Sequence, residues 1–204
     1  MNILVDSKSY TIILLAAGSS SRFGSPKQIA QNNGKSLIHH SVSEAIKVNS
    51  DVIVVLGANI DIVKKEIENF PVQIVYNKDW EEGMSSSIRC GITALLNRNP
   101  SAEAAIIAVI DQPFLSSAII AALIEKYEAT KKPVVACAYK DVIGIPALFD
   151  KSFFHPLLEL KGQSGAKKII SQNKNAVVTI PFPLGYIDID TKEDYENFKN
   201  LIKS

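Results

Sequence analysis

The stretch Tyr10-Thr11-Ile12-Ile13-Leu14-Leu15-Ala16-Ala17-Gly18-Ser19-Ser20-Ser21-Arg22-Phe23-Gly24-Ser25-Pro26-Lys27 decides how this chain is read. It begins apolar and partly β-branched, then breaks into small residues, the pattern of a buried strand that opens into a loop. Small side chains let the backbone approach a ligand closely, and successive amide N–H groups can converge on phosphate oxygens. Arg22 can fork onto two such oxygens while Lys27 supplies a mobile point charge. The loop joins amides and two cations at the end of a strand, so a triphosphate is its natural guest. The plainer reading of any Gly/Ser stretch is a flexible turn with solvated cations. Two better-known phosphate loops are excluded by spacing. A P-loop needs Lys and Ser/Thr directly after Gly24, where Ser25 and Pro26 stand, and G-x-G-x-x-G fails because Ser20 takes the place of its second glycine.

Outward from this stretch, short apolar runs recur at residues 51–56, 73–76, 104–110 and 134–138, each read as a strand. Segments of helical period lie between them at 36–48, 60–69, 84–98 and 116–130, the last opened by Ser116 as an N-cap. This alternation predicts an α/β fold of three layers, α/β/α, with a mostly parallel sheet covered on both faces. After residue 138 the rhythm loosens into a Gly/Pro segment at 144–146, short helices near 153–160 and 165–172, a last strand region at 176–190 and a last helix at 191–202. Pro181 and Pro183 place that last strand at an edge or a bent connection.

The 204 residues, 47% of them hydrophobic and without a long polar tract, fit one compact domain spanning 1–204. Lys and Arg number 22 against 21 Asp and Glu, a net charge of +1 that gives no basis for a nucleic-acid or membrane surface. Cys90 and Cys137 have no metal or CxxC spacing and read as buried free thiols. The first ten residues carry Asp6 and Lys8 before any apolar run, which is not a secretory layout, and no stretch reaches the roughly 18 apolar residues of a membrane span. A cytoplasmic protein is the expectation.

Further candidates lie along the chain. Asp111 follows the apolar run 106–110 and precedes Gln112-Pro113, putting a hard oxygen ligand where a buried strand leaves the core; the bland alternative is a turn or helix-entry residue. Alternation in Ile187-Asp188-Ile189-Asp190 sets Asp188 and Asp190 on one side of an extended segment, although Asp190 or Thr191 can equally cap the helix that follows. Ser85 to Ser87 read as N-capping residues or as exposed donors at a helix start. His39, His40 and His155 have no partner at metal spacing and read as packing residues. No Ser/His/Asp or Cys/His arrangement calls for a covalent intermediate.

The string from Leu15 to Lys27 matches L-A-A-G-x-S-x-R-x-G-x-P-K at every fixed position, and by it the chain resembles the molybdenum cofactor cytidylyltransferases, nucleotidyltransferases similar to molybdopterin-guanine dinucleotide synthases. The resemblance runs from Ile12 to about Phe198. It implies a nucleotide-diphospho-sugar transferase (Rossmann-like) fold. It also implies that Leu15, Ala16, Ala17, Gly18, Ser19, Ser20, Ser21 and Lys27 bind the nucleotide, and that Arg22, Lys27 and Asp111 are catalytic. Asp-x-Pro at Asp111 and D-I-D-T-x-E-D at Asp188 to Asp194 imply Mg2+ ligands at Asp111 and Asp190. Gly83-Met84-Ser85-Ser86-Ser87-Ile88 is similar to G-M-x-x-S-[LI], implying Gly83, Met84 and Ser87 around ribose and base. Gly144-Ile145-Pro146 matches G-x-P beside the acceptor, or a turn into an edge strand. In Leu160-Lys161-Gly162-Gln163-Ser164-Gly165-Ala166-Lys167 the family's Asp and Arg are replaced by Gln163 and Lys167, which exchanges a planar fork for a point cation and unsettles the acceptor.

The implied activity is transfer of CMP from CTP to the terminal phosphate of molybdopterin, with release of pyrophosphate and a molybdoenzyme as possible client. Leu-Ala-Ala-Gly, with Ala17 rather than glycine, is what favours CTP over GTP. An NTP transferase acting on a sugar or polyol phosphate keeps the same site. A non-catalytic molybdenum cofactor carrier is the alternative from another class.

Overall fold

The structure, a computed structural model, describes residues 10–32 and 34–203. The reading of the first nine residues as lacking a secretory layout lies outside the described residues. In chain order the strands are β1 (Tyr10–Ala16), β2 (Gln31–Asn32), β3 (Lys35–Ser36), β4 (Val52–Leu56), β5 (Gln73–Tyr76), β6 (Ala104–Val109), β7 (Val134–Tyr139), β8 (Val142–Asp150) and β9 (Val177–Pro181). The helices are α1 (Leu37–Ile46), α2 (Ile60–Val63), α3 (Met84–Arg98), α4 (Ser117–Thr130), α5 (Phe154–Leu158), α6 (Ala166–Gln172) and α7 (Lys192–Leu201). One seven-stranded sheet has the order β5-β4-β1-β6-β8-β7-β9. Strand β1 runs parallel to both β4 and β6, whereas β8 is antiparallel to β6 and β7.

The continuous apolar runs follow from burial on both faces. Ile12 and Leu14 of β1 share a core with Leu37 and Val42 of α1, Leu123 of α4 and Phe198 of α7. Ile13 and Leu15 face the other way, onto Ile88 and Ile92 of α3, Leu157 of α5 and Ile169 of α6. Three layers result, as the alternation predicts. Helix α3 lies so close to β1 that a Cβ on Gly91 would stand 2.5 Å from Ile13 Cγ2. Ser116 caps α4, its side chain accepting from the Ile119 amide.

Two elements differ from the sequence reading. Residues 144–146 are not a connecting segment or a turn into an edge strand; they lie inside β8, in the sheet interior. The register with β7 jumps from Ala136↔Ala147 to Cys137↔Gly144, so Ile145 and Pro146 stand out of the ladder and no proline donor is needed there. The region 176–190 holds only the short edge strand β9, as its prolines require; beyond Pro181 the chain turns, with the Phe182 amide donating to the Ala138 carbonyl. Asp188 and Asp190 therefore lie on an irregular connection to α7 rather than on a strand.

Candidate active site

Because β1 and β6 are parallel neighbours, they deliver their following loops to the same end of the sheet, and the Ile110 amide reaches the Leu15 carbonyl there. Strand-end crevices of open α/β sheets are where ligands bind. A cavity of about 450 Å3 opens at this place. The residues that the resemblance assigns to nucleotide, metal and catalysis line it together: Leu15, Ala16, Ala17, Gly18, Ser19, Ser20, Ser21, Arg22, Lys27, Gly83, Met84, Ser87, Asp111 and Asp190.

The loop after β1 is shaped from inside. Gln28, 1% exposed, donates from Nε2 to the Ala16 carbonyl (3.1 Å) and the Gly18 carbonyl (2.7 Å), and its Oε1 accepts from Ser20 Oγ at 3.1 Å. Ser20 Oγ also accepts the Lys27 amide at 3.0 Å. Ser20 itself sits in the left-handed region at φ 59°, and its carbonyl accepts from Phe23 and Gly24. Among the described residues the amides of Gly18, Ser19, Ser20 and Ser21 have no protein acceptor. Consecutive free amides in a loop that bounds a cavity are available to an anion.

The charges meet at one point. Lys27 Nζ donates to Asp111 Oδ2 and to Asp190 Oδ1, each at 2.7 Å, and Arg22 Nη2 donates to Asp190 Oδ2 at 2.9 Å. Burial works to lower the Lys27 pKa, but the Asp111 and Asp190 carboxylates overcome it and leave the ammonium above its ordinary value. Burial likewise works to raise Asp190, and Lys27 and Arg22 outweigh it, holding the carboxyl below its usual range. Asp188 carries no such partner: burial and the negative charges of Asp190 and Asp111 push its pKa up. Thr191 caps α7 in a reciprocal capping box with Asp194, which leaves the Asp190 carboxylate to the two cations.

The opposite wall comes from the start of α3. Gly83 precedes it at φ 114°, where a Cβ would come within 2.5 Å of Gln163 Oε1. Ser85 Oγ donates to the Gly162 carbonyl and Ser86 Oγ to the Gly83 carbonyl, so both are structural ties. Ser87 lines the cavity and accepts from Asn77 Nδ2 at 3.1 Å. Arg89 grips Glu82 with two bonds, 2.9 and 2.5 Å, and donates to the Leu160 carbonyl, fastening α3 to the connection that carries Gln163. Its guanidinium holds the Glu82 carboxyl down at about 2. Lys167 is exposed and is not among the residues of the cavity wall.

Sequence reasoning missed Gln28, Trp80, Glu81, Val109 and Ile110, which also line the cavity, and saw Gln163 only as a departure from a pattern. Gln28 stands directly after Lys27, and that adjacency was the one available signal. The histidines stay outside: His40 Nε2 contacts the Leu115 carbonyl and the His39 ring packs edge-on against Phe70. Cys137 is buried, with its thiol pushed up to about 12, and Cys90 is half-buried; both are free. No helix among the described residues is long and apolar enough to cross a membrane.

The open, mostly parallel sheet with this strand order has the nucleotide-diphospho-sugar transferase (Rossmann-like) type of fold. Residues 12–177 match the MobA-like NTP transferase domain, and the chain belongs to that family. It is 34% identical over 204 residues, 95% of each chain, to nicotine blue oxidoreductase of Paenarthrobacter nicotinovorans. Among solved structures it is similar to a homologue of Mycobacterium tuberculosis Rv0371c from Mycobacterium sp. strain JC1, with TM-score 0.84, 29% identity and coverage of 96% and 98% of the two chains. It is similar also to the manganese complex of Rv0371c from Mycobacterium tuberculosis, with TM-score 0.77 and 24% identity, covering 93% of this chain and 97% of the other.

Proposed function

We propose that the protein transfers CMP from CTP to the terminal phosphate of molybdopterin, in a reaction that depends on Mg2+. The observation that carries this reading is the convergence of Lys27 Nζ, Asp111 and Asp190 within 2.7 Å contacts beside the free amides of the Gly18 loop. The acceptor's phosphate oxygen attacks the α-phosphorus of CTP, the bond to the β-phosphate oxygen breaks, and pyrophosphate leaves with the electron pair. Such a displacement needs positioning and charge neutralisation more than covalent chemistry. The amides of the loop seat the phosphates, and Arg22 and Lys27 offset their charge. Gly83, Met84 and Ser87 bound the ribose and base.

Two carboxylates that converge on one point fit a hard divalent cation whose remaining ligands are phosphate oxygens and water. Among the described residues no third His, Cys, Asp or Glu joins them, which suits Mg2+ shared with a nucleotide rather than a closed protein cage. Asp111 and Asp190 would hold it, and it would supply charge neutralisation across the phosphates. The manganese bound by Rv0371c is in keeping with a divalent requirement. Ala17 supports CTP, since Leu-Ala-Ala-Gly is the loop of the cytidylyl branch that the chain resembles.

Incubating the protein with Mg2+, each of the four NTPs and molybdopterin, and measuring pyrophosphate, tests the reading. CTP-dependent release is expected; its absence with every NTP overturns it. Release with a sugar or polyol phosphate instead of molybdopterin would move the acceptor but keep the site. Cofactor binding without turnover would make the protein a carrier. The likeness to nicotine blue oxidoreductase over 95% of each chain supports a second reading, in which the protein is an oxidoreductase acting on nicotine blue. Reduction of nicotine blue by a supplied hydride donor, undiminished in Asp111→Asn, would favour it.

A further inference from the structure

We propose that Gln28 is a positioning residue that sets the amide nest for the nucleotide's polyphosphate, an inference that rests on the nucleotide-binding reading above. All its side-chain hydrogen bonds go to the loop it serves, at Ala16, Gly18 and Ser20. Carbonyl and N–H of one trans peptide point in opposite directions. Holding the Gly18 carbonyl at 2.7 Å therefore turns the Ser19 N–H away from Gln28, where it meets no acceptor among the described residues. The bond from Ser20 Oγ holds a serine in the left-handed conformation, φ 59°, that side chains rarely adopt. Through the same oxygen the loop is tied to the Lys27 amide. A buried, neutral, fully occupied amide keeps the loop rigid without adding charge to an anion site. Were Gln28 mere core filling, an isosteric apolar side chain would serve equally well.

The test is calorimetric titration of CTP with Mg2+, without acceptor, into wild type, Gln28→Met, Gln28→Glu and Ser20→Gly, with thermal unfolding followed in parallel. Gln28→Met keeps the volume and removes the bonds, and is expected to weaken CTP binding by at least about tenfold. In turnover, KM for CTP should rise far more than kcat falls. Gln28→Glu sets a carboxylate against two carbonyl oxygens at about pH 8 and regains a donor when protonated, so its binding relative to wild type should recover as pH falls. Ser20→Gly loses the hydroxyl links but takes φ 59° without strain, so it should fold as well as wild type and bind CTP more weakly. Wild-type binding in Gln28→Met, in Ser20→Gly, or in Gln28→Glu at every pH would overturn the proposal while sparing the function. Failure of wild type itself to bind CTP or any other NTP would overturn both.

Discussion

Lys27 is the residue on which the cavity's charge balance turns. Its ammonium bridges the two carboxylates at 2.7 Å each, the pair proposed above to hold Mg2+. Lys27→Ala should lower turnover by about a hundredfold or more, a much larger effect than its loss of fold stability. Steady-state kinetics and calorimetry measure the two. Lys27→Met should also tighten Mn2+ binding in the absence of nucleotide, as seen by paramagnetic titration, because a competing cation is gone. The same contact has a pH signature. Asp190 is depressed below 3.8 in the folded state, so its stabilisation is present above that value and is lost as pH falls through the depressed one. Lys27 is raised above 10.5, so its share is full below that value and is lost as pH rises through the raised one. Lys27→Met should therefore move the acid limb of the unfolding curve to higher pH. The charged members of this cluster were legible in sequence because Arg22, Lys27 and Asp111 sit in short motifs. Gln28 and Trp80 were not, since neutral side chains reveal their purpose only through tertiary contacts.

At the scale of elements, ends matter more than middles. Thr191 and Asp194 cap α7 reciprocally, so Thr191→Ala should cost about 1 kcal/mol, readable as a lowered denaturation midpoint. Gly83→Ala should cost about 1 kcal/mol or more from its positive φ. Its contact is with the far end of the flexible Gln163 side chain, so adding Gln163→Ala should recover little of the loss; comparison of single and double variants checks this. Helix α3 and strand β1 were legible to the residue because their composition and period agree. Strand β8 was not. Pro146 argues locally against a central strand, and only the register jump opposite Ala136 and Cys137 reconciles proline with an interior position.

Over the whole molecule, layer order was legible because strands of continuous apolar residues must be covered on both sides. The close approach of α3 to β1 was not visible, although Gly91 marked it in retrospect. Gly91→Ala should destabilise by about 1–3 kcal/mol despite alanine's better helix propensity, measured by denaturant unfolding. The position of β8 has a last consequence for biosynthesis. Because β8 runs antiparallel, away from the end of the sheet where β1 finishes, the chain returns along β9, parallel to β7, and brings its C-terminal segment home to the glycine loop, so the lysine and its second carboxylate meet across a separation of 163 residues. A nascent chain on the ribosome can assemble much of its sheet while still lacking Asp190. Its lysine–carboxylate cluster closes only when the segment before the last helix emerges.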